Sequence, residues 1–150
     1  GPLGPFPPEP EPYLVPGIEA ELARETIEIE ERLSRSEDPL DIFSLERSRD
    51  ILELAGEMSR ALREGDEDWA AEIGKMIFMT AIKVRREVLY SIRKTAVEPG
   101  ENERLSIEIE LLELDRELIE TEANGDWLRS DELRARIAEL EELLSGLNSG

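Results

Sequence analysis

A chain of 150 residues carrying a formal net charge of -19, with 37% charged residues and neither Cys nor His, excludes several chemistries at the outset. There can be no disulfide framework, thiolate nucleophile or Cys-based zinc site, and the commonest general base and metal ligand is missing. The length suits one domain with one core, burying roughly 70% of the surface that the unfolded chain exposes.

Gly1-Pro2-Leu3-Gly4 reads as an expression-tag remnant. Pro5, Pro7, Pro8, Pro10, Pro12 and Pro16 follow. Repeated proline removes backbone donors and fixes φ, so residues 1–17 are expected to form the remnant and an extended arm. Its Phe6, Tyr13, Leu14 and Val15 could pack on a helical body or a neighbouring chain.

Helical periodicity starts at Ile18. Ile18, Leu22, Ile29 and Leu33 share one stripe, which predicts a helix over 18–35. Asp38 is placed to cap the next helix, with Pro39 at its first position, where the missing N–H costs nothing. Leu40, Phe43, Ile51, Leu54, Ala55, Met58 and Leu62 line its inner side, and Gly65 ends it. Asp66, Glu67 and Asp68 open a third helix at the end favoured by the macrodipole, and Trp69 lies in its first turn. Ile73, Met76, Ile77, Thr80, Ala81, Val84, Val88 and Ile92 make a broad stripe. Phe78, Met79, Ile82, Leu89 and Tyr90 make the same segment apolar on other sides, which predicts a helix surrounded by its neighbours. Pro99-Gly100 is expected to stop it.

Residues 101–147 predict a helical hairpin turning at Asn124-Gly125-Asp126. The fourth helix carries two stripes, Leu105, Ile109 and Leu112 on one and Ile107, Leu111, Leu114 and Leu118 on the other, so it can face two neighbours. In the fifth, with Ser130 as the expected cap, Leu133, Ile137, Leu140, Leu144 and Leu147 form a short coiled-coil-like seam. The fold class is therefore all-α, a bundle of about five helices over residues 18–150. No apolar run approaches the ~20 residues of a membrane span, and no signal peptide is evident. A cytoplasmic protein without membrane contact is expected. Arg outnumbers Lys fifteen to three, Glu is abundant and Gln is absent, a pattern that points first to a thermophile; a salt-adapted halophile is the alternative, without its usual surplus of Asp.

Charge is segregated along the chain. Acidic residues number 20 against 7 basic ones over 1–74, 1 against 6 over 75–97, and 16 against 5 over 98–150. The basic helix holds Lys75, Lys83, Arg85, Arg86, Arg93 and Lys94. It can pair with the acidic arms or meet an acidic partner. Nucleic acid is disfavoured, because the net charge repels a polyanion and aromatic interleaving is limited to Tyr90. Acidic residues close together on the helices, such as Glu113 with Glu117, are expected to be solvated faces, since a di-metal bundle normally adds a Glu-x-x-His motif. No phosphate loop or nucleophile elbow occurs.

Three segments resemble the helical domain of the GINS replication-complex family, particularly an archaeal subunit with the helical domain first. They are the amphipathic Glu46 to Ala61 preceded by Asp38-Pro39-Leu40, the Arg-Arg segment Ala81 to Ala96, and the acidic Glu101 to Leu112. The resemblance covers roughly residues 18–120. It implies a non-catalytic subunit of a tetrameric scaffold that joins the MCM helicase to a RecJ-like partner, with Arg85, Arg86, Arg93 and Lys94 pairing with acidic neighbours. The family usually appends a small β domain, whereas residues 126–150 continue here as helix.

The expected function is protein–protein interaction within a homo- or hetero-oligomer. Lys83, Arg85, Arg86, Arg93, Lys94, Trp69 and Trp127 are the candidate partner-binding residues. Trp is frequent at interface hot spots, although both tryptophans also suit ordinary helix-end packing. No catalytic, cofactor-binding or metal-binding residue is assigned.

Overall fold

Asp38 and Pro39 show how these helices are started. The Asp38 carboxylate accepts the Asp41 backbone N–H at 3.0 Å, and Pro39 is the first residue of the helix it caps, as the sequence leads one to expect. The computed structural model describes residues 17–149, so the proline-rich arm lies outside the described residues. Five helices account for nearly all of the described chain: α1 (Ile18–Arg35), α2 (Pro39–Arg63), α3 (Glu67–Thr95), α4 (Pro99–Ala123) and α5 (Trp127–Ser149). No strand occurs among the described residues, and the class is all-α. Packing divides the chain after Ile77 into two compact units.

In the first unit α1 packs along α2. The stripe of Ile18, Leu22, Ile29 and Leu33 is half-buried, while the rest of α1 is mostly charged and exposed. An ion pair from Arg63 to Glu19 ties the end of α2 to the start of α1. The core of this unit is Ala61, Ala70 and Ile73, with Leu54, Met58, Leu62 and Ile77 against it.

The second unit is built on Leu89 of α3 with Leu105 and Ile109 of α4, flanked by Tyr90, Ala96 and Leu112. The α5 seam behaves as its spacing predicts, with Leu133 and Leu140 buried, Ile137 and Leu144 half-buried, and Leu147 at the exposed end. Along one edge of the hairpin Arg129 donates to Glu117 at 2.8 Å and Arg136 to Glu110 at 3.3 Å. Arg134 pairs with Glu122 as well. Each of these arginines also holds an acidic residue of α5 three places away, Glu132, Asp131 or Glu139. Such exposed pairs add little to stability and act mainly on the register of the hairpin.

Both units turn through the same corner, repeated sixty residues apart. Gly65 and Gly125 adopt left-handed φ values of 77° and 72°, which glycine alone enters without strain. The next residue caps the following helix: Asp66 accepts the Trp69 N–H at 3.1 Å and Asp126 that of Arg129 at 3.2 Å. The aspartate N–H reaches back to the carbonyl of Ala61 or Thr121.

Three expectations are corrected. Pro99-Gly100 does not stop α3, which ends at Thr95; Pro99 instead opens α4, the same first-turn use of proline as at Pro39. Ser130 is not the cap of α5. The left-handed Gly125 makes the turn one residue before Asp126, so α5 begins at Trp127 and Ser130 falls inside it, fully buried. Nor is α3 surrounded: Trp69 is 44% and Phe78 52% exposed, and Met76 and Ile92 of the expected stripe are exposed too. Its buried positions are Ala70, Ile73, Ile82 and Leu89. With apolar side chains on several sides, α3 has no face that periodicity alone could select.

Candidate functional site

The basic residues of α3 in the second unit sit mostly on one helical face. Lys83, Arg86, Tyr90 and Arg93 recur at spacings of three and four, and Lys94 lies beside them. Arg85 departs from this stripe and lines a different depression with Leu89, Glu108, Leu111 and Leu112.

Arg93 and Tyr90 are fixed by α4. The Arg93 guanidinium lies 5.0 Å above the Tyr90 ring and donates to the Ser106 hydroxyl at 3.2 Å, a cation–π contact anchored by a hydrogen bond. The Tyr90 hydroxyl donates to Glu113 at 3.0 Å. That bond, together with desolvation and the Glu113 charge, raises the Tyr90 pKa, against smaller lowering by Arg93 and Arg86. The phenol is therefore a fixed donor at neutral pH and holds the ring under Arg93.

One turn before Tyr90 the stripe opens into a cleft of about 360 Å³ lined by Met79, Thr80, Ile82, Lys83 and Arg86 of α3 and by Arg116 of α4. Ile82 is buried beneath it. Three cations thus converge over an apolar floor, with the Thr80 side chain at the wall. Among the described residues, Arg85, Arg86, Arg93, Lys94 and Arg116 form no ion pair, whereas Arg129, Arg134 and Arg136 are each doubly paired. The expected pairing of Arg85, Arg86, Arg93 and Lys94 with acidic neighbours is not what the second unit does. Three of the carboxylates on α4 are engaged elsewhere: Glu110 and Glu117 hold α5 arginines and Glu113 holds Tyr90.

Neither tryptophan lines this cleft. Trp69 belongs to the first unit, in the first turn of α3. Trp127 starts α5 and is 62% exposed, next to Leu128 at 75%, so it is not covered by ordinary helix-end packing. Arg116 is the member of the cleft that sequence reasoning misses. It is one of two arginines, with Arg104, in an otherwise acidic helix, and only the fold brings it to Arg86.

The arrangement can hold an anion. It offers the Arg86 and Arg116 guanidinium groups for carboxylate or phosphate, and apolar contact from Met79 and Ile82. Among the described residues no group of three or more Asp and Glu side chains is arranged to hold a metal ion, and no helix is long and apolar enough to cross a membrane. Compared with family models, curated proteins and solved structures, the chain matches none.

Proposed function

We propose that this chain is a non-catalytic protein-interaction subunit that receives an acidic partner surface on the Lys83, Arg86 and Arg116 cleft and the adjoining Arg93 and Lys94. The observation that carries the reading is that, among the described residues, Arg86 and Arg116 form no ion pair in a protein of net charge -19. Carboxylates are abundant, and two guanidinium groups brought together without them repel. An acidic partner would relieve that repulsion, while Met79 and Ile82 provide apolar contact at the centre. The finer form of this proposal, drawn from the GINS resemblance, is a scaffold subunit of an archaeal replicative helicase complex.

The test is affinity capture by the full chain from a thermophilic archaeal lysate, with and without nuclease, beside the double reversal Arg86→Glu and Arg116→Glu. Capture of helicase-associated proteins that survives nuclease and is lost in the double reversal supports both levels of the proposal. Capture that needs intact nucleic acid would replace it with phosphate-backbone binding, whose affinity falls steeply with salt. Capture indifferent to the reversal would remove the cleft from the account.

A further inference from the structure

The two ion pairs on one edge of the α4–α5 hairpin belong to a ladder with a missing member. On α4, Glu103, Glu110 and Glu117 recur every seven residues; on α5, Arg129, Arg136 and Leu143 do the same. The first two rungs are closed, Arg129 on Glu117 and Arg136 on Glu110. At the third rung the α5 position is Leu143, 56% exposed. Among the described residues neither Glu103 nor Glu142 forms an ion pair. The hairpin is zipped near its corner and left electrostatically open at its far end.

That open end is a groove of about 610 Å³. Ile107, Leu143 and Leu147 give it an apolar floor, and Glu103, Glu139 and Glu142 an acidic rim. Gly146 also lines it, and a Cβ added there would meet nothing within 4 Å. The fold therefore has no steric need for glycine at a position where glycine weakens a helix. What glycine does provide is a low stretch of α5 over which another backbone can come close.

We infer that this groove is a docking site for a cationic amphipathic helix of a partner protein. Its apolar side chains would seat on Ile107, Leu143 and Leu147, and its Lys or Arg residues would reach Glu103 and Glu142, supplying the cation that the third rung lacks. In helix-in-groove binding an amphipathic helix lays its apolar face on such a floor, and the acidic rim selects a cationic one. A second copy of this chain fits poorly through the same face, because a twofold contact sets Glu103, Glu139 and Glu142 against their own equivalents. The surface differs in residues and in sign of charge from the α3 cleft, so the inference extends beyond the proposed function and either can fail alone.

The test uses the full chain with methyl-labelled Ile and Leu, and a synthetic helix carrying Leu at i, i+3, i+4 and i+7 flanked by Lys and Arg. A scrambled peptide of the same composition is the control. Binding should move the Ile107, Leu143 and Leu147 methyl signals, and the scrambled peptide should bind at least about tenfold more weakly. Leu143→Arg completes the third rung against Glu103 and occupies the groove; it should weaken binding by about tenfold or more while leaving the circular dichroism spectrum native. Glu103→Gln with Glu142→Gln should weaken binding and flatten its salt dependence. If Leu143→Arg loses the fold, Leu147→Glu at the mouth tests the same face. Equal binding of the scrambled peptide, signals that move elsewhere, or undiminished binding by folded variants would overturn the inference. So would a dimer in sedimentation that Leu143→Arg dissociates, since the occupant would then be a second copy.

Discussion

The Ser130 hydroxyl lies 3.1 Å from that of Thr121, wholly buried beneath the α4–α5 corner. Each hydroxyl also lies within reach of a backbone acceptor, Ser130 of the Asp126 carbonyl at 2.9 Å and Thr121 of the Leu118 carbonyl at 3.0 Å, so its single proton goes either to that carbonyl or to the other hydroxyl. The equivalent corner of the first unit has Ala70 and Ala61 in these places, both buried. One backbone geometry is thus closed once by a polar pair and once by two methyl groups.

Replacing both Thr121 and Ser130 by alanine should therefore cost less than ~1 kcal/mol, because the two hydroxyls go together and neither is left unsatisfied. Ser130→Leu should cost ~2 kcal/mol or more by overpacking. Urea unfolding of the three proteins separates these outcomes, and a large loss in the double alanine variant would mean that the polar pair specifies the corner.

Asp126→Ala removes the cap that accepts the Arg129 N–H. A loss of ~1 kcal/mol is expected, with Asp126→Asn nearly neutral. An alanine variant as stable as the parent would show that solvent satisfies the first turn of α5 equally well.

Asp115 on α4 has its pKa raised, first by desolvation and then by the charge of Glu141 on α5. A carboxyl whose folded pKa exceeds its unfolded one opposes folding once ionised. The penalty is absent below the unfolded pKa, develops as pH rises through the folded one and then stays constant. Asp115→Asn should therefore raise the melting temperature at pH ~7, and the difference should vanish under conditions more acidic than the ordinary Asp range. A gain that persists unchanged into strong acid would point to packing instead of charge.

Gly146→Ala should stabilise the chain by ~0.5–1 kcal/mol, since the added Cβ meets nothing within 4 Å. Thermal unfolding measures this directly. A destabilised alanine variant would mean that α5 needs its glycine for its own fold.

Much of the architecture was legible because the chain is punctuated. Pro39, Gly65 and Gly125 mark helix ends by backbone restrictions that hold in any surroundings, and the α5 seam declares its face because the residues between its leucines are mostly polar. The α3 face was not legible: apolar residues occur on several sides, and which of them is covered depends on what the fold brings alongside. Serine is a good cap in isolation, which points to Ser130, whereas Gly125 sets the corner one residue before Asp126. The basic stripe could be located from Lys83, Arg86 and Arg93, but the cleft could not, because Arg116 joins it only through helix packing. The ladder was readable in principle, since Glu103, Glu110 and Glu117 share a spacing with Arg129, Arg136 and Leu143.

Of the three asparagines only Asn124 precedes a glycine, the dipeptide most prone to deamidation. Ring closure requires the Gly125 nitrogen to attack the Asn124 side-chain carbon and expel ammonia. In the corner that nitrogen donates to the Glu122 carbonyl at 3.1 Å, and the Asn124 backbone N–H is bonded to Glu120. The nucleophile is tied down while the corner holds. Chemical ageing at Asn124 is therefore a clock that advances only during opening, and the appearance of aspartate and isoaspartate there records how often the hairpin comes undone.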